Sequence, residues 1–420
     1  MAKSDTDSIL FLLPSEILGV VIGHVEDVAD LKACAIVCRD MLPHAQSRLW
    51  RSVTLGQKAD LEAIMDFLDR ASYLADYIRR LRILNTPYWF IDATPSVPEY
   101  QRRYMDPVEC PDLTPFLSRL PALDELAFED ASLEYKPDWS HALSPTHLTP
   151  LTTSPSLKNV SVLTMTGTGF ESFEAFLELV CSLPRLQVLN MERIITYYDD
   201  KFEDENPQDP RFSLTNLQQI VHCPWKYDHF QFSCTLYRFL AARPCIPLRR
   251  LVVRSSQSLH WRTLGSVIEQ HPQLEHLTIS TINPLHPPDP LSTFVNLGRC
   301  TNLRSLALCR SVKGSYIRPR CTTWISEVLA SVNSPLLEEV TITFETDTSY
   351  IHSLCWQDID TVLADSEKLP RLRKVTIVPY AEDENPEHYA FFIAAQRALL
   401  PRSSDRLGSS LSTTPQENDF

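Results

Sequence analysis

The stretch HPQLEHLTI, residues 271–279, carries the pattern that decides the fold. Leu274 is followed by an apolar residue three positions later and by another two positions after that. The same frame recurs along the chain. It begins at Ile78, Leu123, Leu157, Leu186, Leu217, Leu248, Leu274, Leu303, Leu337 and Leu372. Most intervals are 26 to 35 residues long, so the chain is built on an internal repeat. The copy at Leu217 is degenerate, because His222 stands where an apolar residue is expected.

Between the frames lie segments whose apolar residues are spaced three and four apart, the spacing of an amphipathic helix. Examples are SFEAFLELVCSL, TLYRFLAARP, WRTLGSVIEQHP and TTWISEVLASVN. One helix and one short strand cannot bury their apolar faces alone, so successive units must stack. The predicted fold class is α/β, a right-handed solenoid with a concave parallel sheet and convex helices. The alternative is an ordinary α/β domain in which the leucine spacing is a coincidence.

Composition excludes several classes of partner. The chain has 420 residues, 44% of them hydrophobic and 22% charged, which is ordinary for a folded protein. Its net charge of −14 disfavours nonspecific binding to nucleic acid or anionic lipid, because that attraction depends on Lys and Arg. No apolar run approaches the roughly 18 residues of a spanning helix, so no membrane partner is predicted. We expect a soluble protein of the cytoplasm, the nucleus or both.

The eleven cysteines contain no C-x-x-C pair, and we expect them to be reduced. Cys34 and Cys38 lie four apart on a predicted helix, a spacing that suits a metal, a disulfide or two packed thiols. Packed thiols are favoured, because free cysteine is commonly buried. No metal and no cofactor is predicted.

The repeats resemble leucine-rich repeats of the longer, helix-bearing type over roughly residues 78–379. The Asn or Cys that this family places three positions after the last strand residue is missing. Ile194, Ile282 and Ser311 stand at such places. The resemblance therefore implies an irregular horseshoe.

The N-terminal stretch LPSEILGVVIGHVEDVADLKACAIVCRDMLPHAQSRLW, residues 13–50, has more apolar residues than a small helical unit can bury by itself. In order and spacing it resembles an F-box, the three-helix unit that binds the adaptor of a cullin ubiquitin ligase. The positions that match the family pattern, and that the resemblance implies as adaptor contacts, are Leu13, Pro14, Ile17, Leu18, Leu31, Val37, Cys38 and Trp50. Two alternatives stay open: the helices could only cap the repeats, and Trp50 could pack on the first repeat through Val53 and Leu55.

The repeats present a second candidate surface, because alternate residues of each strand point away from the helices. The side chains predicted to converge there on an acidic or phosphorylated group are Arg250, Arg254, His276 and Arg310, assigned as substrate-binding. The alternative is a solvated face without a ligand.

Sequence motifs for catalysis are absent: there is no Gly-rich phosphate loop, no G-x-S-x-G and no H-E-x-x-H. His222 and Cys223, or His229 and Cys234, match no standard site. We therefore predict no catalytic residues and no enzyme.

The predicted domain boundaries follow from these patterns. They are a disordered N-terminus at 1–8, the F-box-like unit at 9–55, the leucine-rich-repeat-like solenoid at 56–400 and a disordered tail at 401–420. Insertions are predicted near 85–115, 134–154 and 197–213.

Together the two resemblances imply a fungal-type F-box protein with irregular leucine-rich repeats. Such a protein is the substrate-recognition subunit of an SCF ubiquitin ligase. Its partners would be the F-box adaptor, through it a cullin, and a protein substrate. The alternative function is a leucine-rich-repeat scaffold unrelated to ubiquitin.

Overall fold

A computed structural model describes residues 13–56, 58–84, 113–129, 145–196, 209, 211–224, 231–255, 258–282, 293–311, 323–345, 355–380, 400–407 and 411–412. In this part of the chain the protein is of the α/β class, with a large parallel sheet. It divides into two compact units. The first comprises Met1–Thr168 and Ser182–Arg185, and the second comprises Gly169–Cys181 and Leu186–Phe420.

The first unit begins with three helices and continues into alternating strands and helices. Its helices are α1 (Ser15–Gly23), α2 (Val28–Val37), α3 (Leu42–Leu49), α4 (Lys58–Arg70), α5 (Thr114–Leu117) and α6 (Pro145–Thr153). Its strands are β1 (Ser52–Leu55), β2 (Arg80–Leu84), β3 (Glu125–Glu129) and β4 (Val162–Thr166). The four strands pair in chain order, and every pair is parallel.

The second unit continues the alternation. Its strands are β5 (Gly169–Phe170), β6 (Val188–Glu192), β7 (Ile195–Thr196), β8 (Gln219–Cys223), β9 (Arg250–Ser255), β10 (His276–Ile282), β11 (Ser305–Ser311), β12 (Glu339–Glu345), β13 (Lys374–Tyr380) and β14 (Leu411–Ser412). Its helices are α7 (Phe173–Cys181), α8 (Gln231–Ala241), α9 (Ser258–Gln270), α10 (Thr323–Ser331), α11 (Trp356–Ala364) and α12 (Pro401–Leu407). Strand β6 and strands β8 to β14 pair in chain order and in parallel, while β5 pairs with β7.

The repeated frame marks the core side of the sheet. In HPQLEHLTI, Leu274 and Ile279 are fully buried and Leu277 is 1% exposed. The register aligns Leu277 with Leu251 on one side and with Leu306 on the other. Leucines therefore stack on leucines from strand to strand. The four helices predicted between frames are confirmed as α7, α8, α9 and α10.

One frame starts three residues later than the sequence indicated. Strand β4 pairs Leu163 with Leu126 of β3, so the equivalent of Leu123 is Val160 and not Leu157. Leu157 is buried as well, but it lies in the 3-10 turn Pro155–Asn159. A buried turn leucine three residues before the true frame made the two positions indistinguishable in the sequence.

The sequence analysis also missed the first frame of the sheet. Strand β1 aligns Val53 with Leu81 and Leu55 with Ile83. Trp50 consequently occupies the place that Ile78 holds in the next repeat. An indole at the first position concealed the frame, because every other copy begins with an aliphatic residue.

The predicted insertions lie mainly outside the described residues, as does the N-terminus at 1–8. Within residues 134–154, the structure differs from the predicted insertion. Pro145–Thr153 forms helix α6, and its Leu148 and Leu151 are fully buried. This part of the stretch therefore contributes to the core of the first unit.

The expectation of a disordered tail from residue 401 is corrected at its start. Helix α12 covers Pro401–Leu407, and the buried Asp360 carboxylate accepts hydrogen bonds from the backbone N–H groups of Arg402 (3.1 Å) and Ser403 (2.8 Å). Arg406 donates to the Leu363 carbonyl at 2.8 Å. Asp360 of α11 therefore caps the N-terminus of α12, and this contact holds the start of a stretch whose polar composition had suggested disorder. Residues 413–420 lie outside the described chain.

Candidate docking surface and the open face of the sheet

The three N-terminal helices share a small apolar core. This core consists of Leu18 and Ile22 of α1, Leu31 of α2, Met41 directly before α3 and Ala45 within α3. Asp27 begins α2 by accepting hydrogen bonds from the N–H groups of Ala29 and Asp30 at 2.7 and 3.0 Å. Leu13, Val25, Cys34, Ala35, Cys38 and Leu49 pack against this core and are partly buried.

Helix α1 approaches α3 closely on one side. The Ser15 hydroxyl is hydrogen-bonded to His44 Nε2 at 2.9 Å. A Cβ atom at Gly19 would lie 3.0 Å from His44 Nδ1, so glycine permits this approach. Because a helix turns 100° per residue, Ile17, Val20 and Val21 lie on the opposite side. They are 46%, 60% and 48% exposed.

Helix α2, like α1, has one side packed in the core and an exposed apolar side. Its core side is Leu31, Cys34, Ala35 and the following Cys38. The opposite side carries Ala29, Ala33, Ile36 and Val37, all exposed, with Ile36 at 85%. Helix α2 is therefore apolar on both sides, whereas the side of a helix that faces water ordinarily carries polar residues.

The exposed apolar side chains are concentrated in this region. In the described part of the chain, eight large apolar side chains are exposed. Seven of them lie in the three N-terminal helices and are called here the apolar helix surface: Ile17, Val20, Val21, Val28, Ile36, Val37 and Leu42. The eighth is Tyr73. Exposed apolar groups gathered in one part of a chain are typical of a site that binds another protein.

The structure separates the predicted adaptor contacts into three groups. Pro14, Ile17 and Val37 are exposed, whereas Leu18 and Leu31 are only 2% and 4% exposed and belong to the core. Leu13, Cys38 and Trp50 are intermediate. The predicted list omitted Val20, Val21, Val28, Ile36 and Leu42. Val20 and Ile36 lie opposite the core residues of their helices, so helical spacing could have identified these two.

Trp50 packs inside the first unit. Its indole stacks on the Phe67 ring of α4, with centroids 4.5 Å apart and planes inclined by 16°. The carbonyl of the next residue, Arg51, accepts hydrogen bonds from the N–H groups of Arg79 and Arg80 at 2.9 and 2.8 Å. These contacts join the three helices to β1 and β2.

The sheet of the second unit has an open face, formed by the strand residues that alternate with the core residues. Its first row, in register from β6 to β13, is Val188, Gln219, Arg250, His276, Ser305, Glu339 and Lys374. Arg250 and His276 are therefore side by side, and both are exposed. Arg254 lies four residues further along β9, in register with Ser280, and it is half-buried.

The backbone register assigns position 310 differently. It pairs with Thr281 and has the same parity along β11 as the core residues Leu306 and Leu308, whereas Ala307 and Cys309 have the parity of Ser305. The predicted convergence of four basic residues is therefore reduced to Arg250 and His276 in one row and Arg254 in another. Continuing the alternation of Leu306 and Leu308 to the end of β11 gives position 310 the same parity, so the sequence pattern already contained this assignment.

Arg254 lies within electrostatic reach of two thiols on the open face. Burial raises the pKa of Cys223 and of Cys309, and the Arg254 guanidinium opposes both increases. The Thr343 side chain also hydrogen-bonds Cys309, which opposes the increase in the pKa of that thiol. These thiols remain protonated at neutral pH, because burial is the dominant effect.

The degenerate frame that begins at Leu217 places a polar cluster on the core side of the sheet. His222 is fully buried, and its Nδ1 is 2.8 Å from the Tyr237 hydroxyl of α8. Among the residues that the structure describes, its Nε2 atom has no hydrogen-bond partner. Burial, and secondarily the nearby His260, lower the pKa of His222 to about 3. The imidazole is therefore neutral at physiological pH and packs as a core group. His229 lies outside the described residues.

The described ranges contain no group of three or more His, Cys, Asp or Glu side chains that could hold a metal ion. Within the same ranges, no helix has the length and apolar character needed to cross a bilayer.

When the sequence is compared with known proteins, no family model matches it and no curated protein is found to be similar.

Proposed function

We propose that the three N-terminal helices form an F-box-like unit that binds the adaptor of an SCF ubiquitin ligase, and that the repeats bind a protein substrate. The observation that carries the proposal is the apolar helix surface, which a partner would remove from water. The spacing of residues 13–50 identifies the partner by resemblance. The chain itself would have no catalytic role, and it would act in the cytoplasm, the nucleus or both.

The geometry supports a docking role because the helices already have a separate core. Leu18, Ile22 and Leu31 stabilise the unit, while Ile17 and Ile36 remain exposed on the opposite sides of their helices. Burying an exposed isoleucine side chain contributes about 2 kcal/mol. Several such side chains would contribute together against the cost of association.

The test substitutes exposed residues and leaves the core intact. Full-length Ile36→Asp should lose at least about 30-fold in affinity for the purified adaptor, since it forfeits about 2 kcal/mol of burial and brings a carboxylate into an apolar interface. Ala63→Asp is the matched control, because Ala63 is exposed on α4, outside the three helices. Its affinity for the adaptor should be unchanged.

Two outcomes would contradict the proposal. One is undiminished adaptor binding by both Ile36→Asp and Val20→Asp. The other is a wild-type chain that does not bind the adaptor but copurifies with a different protein through the apolar helix surface. The second result would favour a scaffold unrelated to ubiquitin. Charged substitutions at Leu18 or Leu31 would not distinguish these cases, because a buried charge unfolds the helices.

A further inference from the structure

The first row of strand residues contains an arginine in each unit, but only one of the two arginines has an acidic neighbour. In the first unit, Arg80 of β2 forms an ion pair with Glu125, its register neighbour on β3. In the second unit, Arg250 of β9 lies between Gln219 of β8 and His276 of β10. The open face of the second unit therefore lacks the carboxylate that neutralises the corresponding arginine of the first unit.

The Arg250 guanidinium and the His276 imidazole are available to a ligand. Both side chains are exposed, and in the described part of the chain neither forms an ion pair or a hydrogen bond. Glu275, which precedes His276, is paired with Arg249 at 3.2 Å. Ser305 follows His276 in the same row and adds a hydroxyl group. Four neighbouring strands thus present an amide, a guanidinium, an imidazole and a hydroxyl in one row, without a carboxylate.

The second row of the same four strands is small and largely apolar. In register from β8 to β11 it consists of Val221, Val252, Thr278 and Ala307, all half-buried. On β10 the third row is closed, since Ser280 is only 8% exposed. Arg254, in the third row of β9, already interacts with other groups and is no part of this site. The accessible surface is therefore a basic position beside a shallow apolar floor.

The distance between the two rows matches the period of an extended peptide. Arg250 and Val252 are two residues apart on one strand, which is about 6.6 Å. Side chains i and i + 2 of an extended peptide point to the same side and have the same separation. A peptide lying along β9 and β10 would therefore place one side chain over the first row and the next one of that side over the second row.

We propose that this part of the open face binds an extended segment of a protein substrate that carries an acidic residue and a small apolar residue two positions apart. The carboxylate would bind Arg250 and His276, and the apolar side chain would contact Val252 and Thr278. Guanidinium and carboxylate groups match in bidentate geometry. The inference rests on the proposed function, because it specifies the class of substrate that the repeats recognise.

The site favours a carboxylate over a phosphate group. It offers a single guanidinium, that of Arg250, because the neighbours of Arg250 in the row are Gln219 and His276. A phosphate carries nearly two negative charges and three acceptor oxygens, and it is best bound by several arginines together. The net charge of −14 also opposes the approach of a dianion more than that of a single carboxylate.

The test uses the full-length chain and labelled peptide pools with blocked ends, in which only Asp supplies a carboxylate. The matched pool has Asp and Val two positions apart, in both orders, among Ala, Ser and Gly. In fluorescence anisotropy it should bind about tenfold more tightly than a pool with Asn in place of Asp. It should also bind more tightly than a pool in which Asp and Val are three positions apart, since those side chains point to opposite sides.

Substitutions on the face locate the two contacts. Arg250→Gln should weaken binding of the matched pool about tenfold, because the bidentate contact is lost. Val252→Thr keeps the shape of the floor but makes it polar, and it should weaken binding about threefold. Arg299→Gln, at an exposed position outside the open face, should leave binding unchanged.

Equal binding of the Asp and Asn pools, equal binding of the two spacings, or full binding by Arg250→Gln would overturn the inference. Tighter binding of a pool with phosphoserine in place of Asp would overturn the choice of carboxylate. The adaptor measurement distinguishes these results from failure of the proposed function. If the wild-type chain binds the adaptor but does not prefer the matched pool, only the present inference fails. If the matched pool binds and the adaptor does not, the docking proposal fails.

Discussion

The buried imidazole of His222 should make the second unit sensitive to acid. Its pKa is lowered to about 3 in the folded protein, against an ordinary value of 6.5. Between these values the unfolded chain binds a proton that the folded core excludes. The contribution of the neutral His222 imidazole to the free energy of unfolding is therefore complete above pH 6.5, and it is lost progressively as the pH falls towards 3.

The magnitude follows from the pKa difference. At pH 5 the unfolded imidazole is protonated and the folded one is neutral, so the loss amounts to about 2 kcal/mol from this group alone. His271 should add to the effect in the same direction, since burial lowers its pKa as well. The contribution of His222 must therefore be isolated by substitution.

The substitution is His222→Asn, because an Asn amide can still hydrogen-bond the Tyr237 hydroxyl but does not titrate. Native-state hydrogen exchange of the β8 and β9 amides in urea gives the free energy of opening at pH 7 and pH 5. This local measurement suits a chain with two compact units, which need not unfold in one transition. The smaller Asn side chain should lower stability at both pH values.

The decisive quantity is the change between the two pH values. The loss from pH 7 to pH 5 should be smaller in His222→Asn than in the wild type by about 2 kcal/mol. His24→Asn is the matched control, because His24 is exposed, and it should keep the wild-type loss. Identical losses in the wild type and His222→Asn would refute the assignment of a neutral, buried imidazole.

Two further predictions concern packing. Leu306→Ala should lower the free energy of unfolding by about 2 to 5 kcal/mol, whereas Ala307→Ser, on the open face, should change it by less than about 0.5 kcal/mol in a urea titration; equal effects would contradict the strand parity. Gly265→Ala should be destabilising by about 1 to 3 kcal/mol, because the new Cβ would lie 1.9 Å from the Phe294 carbonyl oxygen. Gly23→Ala has open space and should be neutral or stabilising, so a thermal melt in which both glycine variants behave alike would contradict this packing.

The adaptor-contact list illustrates a limit of motif reasoning. A motif names the positions that recur, but it does not separate residues that stabilise the unit from residues that contact the partner. Leu18 and Ile17 are adjacent in the sequence, yet one is 2% and the other 46% exposed. Only the direction in which α1 approaches α3 determines which of the two is available to a partner.

The sequence by itself determined the α/β class, the order of strands and helices, and the core leucines, because a short-range frame such as Leu274, Leu277 and Ile279 reports burial directly. The tertiary structure alone decided the exceptions. Val160 replaces Leu157 in its frame, Trp50 begins the first frame, and the register gives position 310 the parity of the core residues of β11. These outcomes depend on pairing between strands that are distant in the chain. A shift of one residue in that pairing exchanges the two faces of a strand, and no local pattern records it.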